Sequence, residues 1–547
     1  MTAASPRFLT ASAFALRRRA NTPQQQPVGG GASSSWGEAA IRLLESEAIL
    51  YNACRVDARM TVDEDAARGL FPFFNRKILI MRVPASTVKA RRAASPRCCS
   101  APELRSERSV VFREGGLFYK PASRIIRDLG VLALAATATP GPRVLDAMSG
   151  TGVRALRYVA EANASHVHAN DLMFGDHPLE DNLAALVEQG AACVTSEDAI
   201  DLYFRSRLDG QRYDLVDCDA FGTGQPHTAE AWWAVQTGGL VYLCATDSLT
   251  TSGSNPHQAA AGYAASAHKF PACNEAGLRL LAGASFREAA ARHLHAAPAF
   301  CFFHKPSSSF RVMMRLVAAK RPPAAAYADL AHVARCPRSG ELWLVPSHKL
   351  DEAAARRPSA AAAPGGGLPG PNAEEHADVS PTLSGPMWVG PMHDGALLAH
   401  MRSGAAERGW DDAEALLATM EAEAAAEAHA AAHAAAHAAA HATTAEPTRQ
   451  KGGAFLFYHL GEVQRALAAA RPPLRQPPLS ALLPLLRSEG FAASQSHSEA
   501  KALKTSATLD DVVRVVREYT ERQQDEDDEE EEEEERPRDE ELEVEST

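Results

Sequence analysis

Between Val110 and about Leu316 short β-rich runs alternate with helical patterns. RVLDAM, HVHAND, YDLVDCDAF and GLVYLCATD read as strands, separated by segments such as GVRALRYVAEA and PLEDNLAALVEQ that carry helical periodicity. Alternation of this kind specifies a parallel sheet covered by helices, because each crossover needs a helix to return the chain to the same edge. Beyond Lys320 the pattern is patchier, and an Ala, Pro and Gly-rich segment and an alanine tract divide the better-patterned pieces of what reads as a second domain.

Charge is distributed unevenly. The 547 residues sum to −12, but Glu521 to Thr547 hold 17 acids and three arginines, so that tail alone carries −14 and the rest +2. A basic nucleic-acid-binding face is therefore compatible with an acidic chain. Nine cysteines occur without a CxxC pair, which argues against a disulfide scaffold or a four-cysteine zinc site. No apolar run reaches the roughly 18 to 20 residues that cross a bilayer, so no membrane partner is expected. The first 37 residues contain no acid but carry Arg7, Arg17, Arg18 and Arg19 among Ser, Thr and Ala. That composition suits a plastid or mitochondrial transit peptide, or a short nuclear address around the arginines.

The most informative stretch is Val144-Leu-Asp-Ala-Met-Ser-Gly-Thr-Gly152, a strand that ends in an acid and runs into a small-residue loop before a helix. Gly150 and Gly152 allow close backbone approach to a ligand at the carboxyl end of the strand, with Ser149 beside them. A dinucleotide fingerprint has its third glycine three residues on, but that position is Ala155. The acid Asp146 would repel a pyrophosphate and suits a ligand bearing ammonium or sulfonium charge, such as S-adenosylmethionine. Asp171, about twenty residues on, is placed to accept ribose hydroxyls. Asp198 ends a third candidate strand, where an adenine amino group binds. Singly, each acid is more often a helix cap or turn residue; together, at three successive strand ends, they point to a ligand.

A fourth strand ends in Asp217-Cys-Asp-Ala-Phe-Gly222. An exocyclic amine on a base is a poor nucleophile because its lone pair is delocalised. A carboxylate at Asp219 accepting its N–H would localise and aim that pair, and Phe221 is placed to stack on the base. Such a base must leave its stack to meet the methyl carbon in line.

These residues resemble the tRNA (guanine-26-N2)-dimethyltransferases. Phe118-Tyr-Lys-Pro-Ala-Ser-Arg-Ile-Ile-Arg-Asp128 is similar to the family's FYNP…NRD motif, Asp146 to Arg157 to its DALSATGLRALR loop, and Asp217 to Gly222 to its DLDPFG. Thr246-Asp247, Glu275 with Arg279, and Phe310-Arg311-Val312 fall in the family's order. Gly385 to Asp394 is similar to GPLWLGPLHD, and Ser494, His497, Lys504 and Thr505 to SRTH…IKT. The resemblance implies an α/β fold: a class I S-adenosylmethionine-dependent, Rossmann-like methyltransferase domain followed by an α+β family-specific C-terminal domain that helps bind tRNA. It implies that Arg127 and Asp146 bind the cofactor, Asp171 the ribose, that Asp198 lies near the adenine, and that Asp219 acts in catalysis. The product implied is N2,N2-dimethylguanosine at position 26.

The expected organisation is residues 1–37 as transit peptide or disordered, 38–109 as an appendage, and 110–318 as the methyltransferase domain. A C-terminal domain follows at 319–515, with low-complexity insertions at 351–377 and 420–448, and then a disordered acidic tail at 516–547 that opposes RNA or contacts a basic partner.

Three departures from the family pattern stand out. Ala220 replaces the proline of DPFG, which predicts looser positioning of Asp219 and leaves open a tRNA-binding protein with weakened catalysis. Cys336 keeps one cysteine of a CxxC pair whose second position is Ser339, so no metal is expected. The segment between Gly115 and Phe118 is short. An S-adenosylmethionine enzyme acting on a protein or small molecule would explain the loop but not the C-terminal matches. Basic candidates for phosphate contact are Lys89 with Arg91 and Arg92, Arg311 with Arg315, Lys320 with Arg321, and Lys501 with Lys504.

Overall fold

The computed structural model describes residues 104–534, apart from 118, 173–176, 319–323, 348–349, 351–380 and 441–455. The described residues fall in one compact unit. The expectations placed on residues 1–103, the Lys89 cluster among them, and on Lys320, Arg321 and the 351–377 insertion lie outside them or fall almost wholly so.

The chain starts with a hairpin, β1 (Leu104–Glu107) and β2 (Val110–Arg113), then helix α1 (Arg124–Ala135). A seven-stranded sheet follows, built from β3 (Arg143–Asp146), β4 (His166–Asn170), β5 (Ala192–Thr195), β6 (Tyr213–Cys218), β7 (Val235–Ala245), β8 (His295–His304) and β9 (Ser309–Val317). Helices α2 (Val153–Ala162), α3 (Leu179–Glu188), α4 (Ala199–Leu208) and α5 (Cys273–Ala291) cross between strands. Strand order is β5-β4-β3-β6-β7-β9-β8. The first five run parallel, whereas β9 is antiparallel to both its neighbours. The sheet is therefore mixed rather than wholly parallel, because only Lys305–Ser308 separate β8 from β9 and so short a connection can only fold back. The direction of winding reverses between β3 and β6, which opens a crevice at their carboxyl ends.

Alternate residues of the strands feed two cores. On one face Leu145, Val216 and Val241 pack with Leu202 and Tyr203 of α4 and Leu278, Leu281 and Phe286 of α5. On the other, Val144, Val167, Leu215 and Tyr242 pack with α1 and α2. That second face is completed from the far end of the chain by α6 (Gly395–Glu407) and α7 (Asp411–Ala440), through Leu398, Met401, Leu417 and Met420.

The rest of the C-terminal part is α+β. One small sheet orders β11 (Leu342–Pro346), β10 (Leu330–Arg335) and β12 (Thr382–Trp388); the other orders β13 (Phe457–His459), β15 (Ala502–Thr505) and β14 (Ala493–Gln495). Helices α8 (Leu460–Ala469), α9 (Leu479–Ser488) and α10 (Leu509–Glu534) enclose a separate apolar cluster with Val512, Val515 and Val516.

Three boundaries are corrected. The methyltransferase part begins before residue 110, because Glu107 at the end of β1 is buried against Arg127 and Arg157. Residues 420–440 form helix rather than an inserted low-complexity segment: Met420, Ala424, Ala426 and Ala430 are buried, and alanine is the best helix former. The tail is helical through Glu534 rather than disordered from 516, since the packed valines of α10 supply the costly helical nucleus from which the helix extends. His429 and His433, in the alanine tract, are exposed on α7.

Candidate active site

The loop after β3 forms the floor of the crevice. Gly150 has φ +56° with open space where a Cβ would stand, and Gly152 has φ +80°, where a Cβ would come within 2.9 Å of Leu179. Both positions therefore demand glycine. The Ser149 hydroxyl donates to Asp146 at 2.6 Å, and the Gly150 amide donates to Asp171 at 2.7 Å. Asn170 ties the loop down, donating to the carbonyls of Ala147 and Glu197. Ser149, Gly150, Asp146 and Asp171 are thus brought together as expected from their strand-end positions.

Asp146 is fully buried and its Oδ1 has no hydrogen-bond partner. Burial, reinforced by the neighbouring charge of Asp217, pushes its carboxyl up to about 8. An unpartnered buried carboxylate oxygen beside an open glycine is a place for a cationic or donor-bearing ligand.

Asp198 is placed differently from the expectation. β5 ends at Thr195, and Asp198 three residues later is the N-cap of α4, its side chain accepting from the Ile200 amide at 2.8 Å. Arg127 is also committed: its guanidinium pairs with Glu107, donates to the Lys120 carbonyl and lies over the Tyr119 ring. It belongs to a buried charge network with Arg157, Asp128 and Glu161 that joins the β1–β2 hairpin to α1 and α2.

Across the crevice, Asp219 follows β6 and is held between two arginines. Nη2 of Arg154, from the first turn of α2, reaches Oδ2 at 2.6 Å, and Nη2 of Arg311, on β9, reaches Oδ1 at 2.6 Å. Arg154 also spans to Asp217 at 2.9 Å, and Tyr158 donates to the same Asp217 oxygen. Burial alone would raise the Asp219 carboxyl, but the guanidinium of Arg154 and then that of Arg311 hold it well below the usual carboxylate range. Phe221, two residues on, is 77 % exposed, as a stacking surface requires.

The turn bearing Asp219 is pinned without the missing proline. Thr246 and Asp247 amides donate to the Gly222 carbonyl at 2.7 and 3.1 Å, and the Gly222 amide donates to the Thr246 hydroxyl at 2.7 Å. Proline substitution at a compatible site contributes about 0.4–1 kcal/mol, mostly through the unfolded chain. Ala220→Pro should therefore change a single-turnover rate less than about fivefold; a gain of tenfold or more would show that these restraints leave the turn loose.

The family model for N2,N2-dimethylguanosine tRNA methyltransferases matches residues 100–451, more than half of the chain. The protein belongs to that family. Two curated tRNA (guanine(26)-N(2))-dimethyltransferases are similar over most of their length. That of Pyrobaculum arsenaticum is 30% identical over 303 residues, 55% of this chain and 73% of the relative. That of Aeropyrum pernix is 27% identical over 418 residues, 73% of this chain and 89% of the relative. Among solved structures, Trm1 from Pyrococcus horikoshii in complex with S-adenosyl-L-methionine superposes with a TM-score of 0.56 at 20% identity, covering 76% of this chain and 99% of that one. The fold is accordingly a class I methyltransferase domain followed by the family's C-terminal domain.

Sequence reasoning about this methyltransferase missed Arg154 and misassigned Arg311 and Lys504. Arg311, read as a phosphate contact, is buried on Asp219. Its neighbour Arg315 lies 3.4 Å from Asp394. Lys504 is wholly buried among Glu275, Glu423 and Glu427, whereas Lys501 is exposed. The available signal was Arg154, two residues beyond the glycine loop: the buried Asp217 and the half-buried Asp219 need counter-charge, and that helix faces them.

Lys504 is the centre of a junction between α5, α7 and β15. Arg279 pairs with Glu275 and Glu427, and His497 donates to Glu423 through its backbone N–H and shares a 2.7 Å contact through Nδ1. His393, Glu423 and His497 bring ligand-type atoms within 4.8 Å of one another, a grouping no metal expectation anticipated. Glu423 is nevertheless engaged on both oxygens, by His497 and by the Lys504 ammonium, which supplies the positive charge that a metal would bring. At Cys336 the Ser339 amide donates to Sγ at 3.5 Å, so hydrogen bonding shapes that turn.

Proposed function

We propose that this chain transfers methyl groups from S-adenosylmethionine to the exocyclic N2 of guanosine 26 in tRNA, forming N2,N2-dimethylguanosine. The observation that carries the reading is the ionised Asp219 held by Arg154 and Arg311 beside exposed Phe221, facing a glycine loop floored by an unpartnered Asp146 oxygen. When bound, S-adenosylmethionine supplies an electrophilic methyl group. Asp146, Ser149, Gly150, Gly152 and Asp171 would hold it. Asp198 keeps one carboxylate oxygen beyond its capping bond, enough for an adenine amino group, while Arg127 would act on the site through Tyr119 and Glu107.

Asp219 accepts an N–H of the guanine amine and fixes its direction, while Phe221 stacks on the extruded base. Clamping by two arginines makes Asp219 an orienting acceptor of low basicity. The test is methyl transfer from labelled S-adenosylmethionine to unmodified tRNA and to a transcript with guanosine 26 changed to adenosine. Label confined to the guanosine transcript is expected; label on both overturns the site, and none on either overturns the reading.

The same assignment predicts a proton signature. Asp146, pushed up to about 8, is largely protonated at pH 7. A cationic ligand beside it favours the charged form, so cofactor binding near pH 7 should release protons and tighten as pH rises towards 8. Calorimetry in two buffers of different ionisation enthalpy checks this, and proton uptake would contradict the role given to Asp146.

A further inference from the structure

We propose that Asp247 is the base that takes the proton from N2 as the methyl group is transferred, leaving Asp219 to orient the amine. The assignment rests on the functional reading above and extends it to a residue with no role so far. The N2 lone pair forms its bond to the methyl carbon as the carbon–sulfur pair departs with sulfur. One N2–H proton then passes to a carboxylate oxygen of Asp247, and water carries it away. In the first round one N2–H stays on Asp219 while the other passes to Asp247; in the second the single remaining N2–H passes to Asp247, so two rounds release two protons, one per methyl group.

Position comes first. Asp247 stands just beyond the carboxyl end of β7, next to β6 in the sheet, and its own amide donates to Gly222 in the turn that presents Asp219 and Phe221. Asp247 is partly exposed, and the amide hydrogen bond to Gly222 ties it to the turn that carries Asp219. Leu249, two residues on, is 68% exposed.

The other acids of the site are unsuited. Asp217 is fully buried and committed to Arg154 and Tyr158, and Asp146 lies fully buried on the cofactor side. Asp219 carries a guanidinium on each oxygen, which lowers its proton affinity. Among the described residues no cation pairs with Asp247: both its oxygens lie 3.2 Å from the Tyr263 hydroxyl, and that hydroxyl also receives the Gly224 amide. The groups facing it are Tyr263 from the short helix Pro256–Tyr263 and Thr223 from the turn, while Arg287 of α5 donates to the Tyr263 carbonyl. Burial, partly offset by the Tyr263 hydroxyl, pushes Asp247 up to about 6, close to the pH at which a base works best.

Single-turnover methyl transfer to tRNA with saturating cofactor, followed from pH 5 to 8, tests the assignment. Wild type should show a rising limb near pH 6. Asp247→Asn should lose that limb and about 100-fold or more in rate at pH 7, with cofactor and tRNA affinities within threefold of wild type, and Asp247→Glu should recover part of both. Tyr263→Phe removes the donor that favours the carboxylate and should move the limb to higher pH. An Asp247→Asn enzyme that keeps the limb and the rate overturns the proposal, as does a rate loss matched by an equal loss of cofactor affinity. A wild-type chain that methylates no tRNA overturns the functional reading itself, whereas an active wild type with an unaltered Asp247→Asn variant overturns this assignment alone.

Discussion

Asp219→Ala is expected to reduce methyl transfer by about 10²–10³-fold, comparable to removing a preorganised polar partner from a reacting centre, while cofactor affinity falls little. The variant removes the acceptor that aims the amine and also leaves Arg311 without its 2.6 Å partner and Arg154 with Asp217 alone. Asp219→Asn separates the two consequences. It keeps one acceptor oxygen but cancels the charge, so rotation of the turn by the two unsatisfied guanidiniums should make it nearly as inactive. Arg311→Met supplies the complement: Asp219 loses one cation, its carboxyl rises, and the rate falls less than in Asp219→Ala. A rate for Asp219→Ala within tenfold of wild type would remove Asp219 from the reaction.

The second large effect concerns folding. Lys504→Met should cost about 3–5 kcal/mol, the range for deleting one partner of a buried charge pair, read as a drop in Tm of roughly 6–20 °C at 2–4 °C per kcal/mol. Lys501→Met, at an exposed position, should change stability by less than about 0.5 kcal/mol. The pH dependence has a definite sign. In the wild type, burial would raise the Glu423 carboxyl, but His497 and Lys504 outweigh it and hold it well below the ordinary range. Its contribution is therefore full above the ordinary glutamate pKa of about 4.3 and is lost only as pH falls below that. Without the ammonium the carboxylates left in the junction resist ionisation, so the deficit of Lys504→Met should shrink between pH 7 and pH 5. A deficit that grows over that interval would contradict the charge arrangement.

Local pattern carried the half of the site that lies on strand ends. Asp146, Asp171 and Asp219 each stand at or just beyond the end of a short β-rich run, and such a run followed by a glycine or helix suffices to place them at the carboxyl edge of a sheet. What completes the site comes from elsewhere in the chain and leaves no local trace. Arg311 sits in SFRVMMRLV, where neighbours on both sides bury the strand, and only the fold reveals that Asp219 is its partner. Lys504 looked like one of a surface pair with Lys501 because its three glutamates lie 77 to 229 residues away. The Asp198 cap followed a rule as local as the one that suggested adenine binding, and the helix that begins at the next residue decided between them. The misreading of the alanine tract had a different source. Composition alone hides Glu423 and Glu427, two acids among alanines that face inwards because they have cations to meet.

That junction also governs how the chain can be recombined. Glu275 and Arg279 belong to α5 beneath the large sheet, Glu423 and Glu427 to α7, and Lys504 to a strand of the last small sheet. A chimera joined to a relative after β9 would import three of five interdependent charges and keep two, so modular exchange succeeds only when all five travel together or the donor carries the same set. Catalytic and C-terminal halves are in this sense inherited as a single electrostatic unit, even though separate parts of the chain encode them.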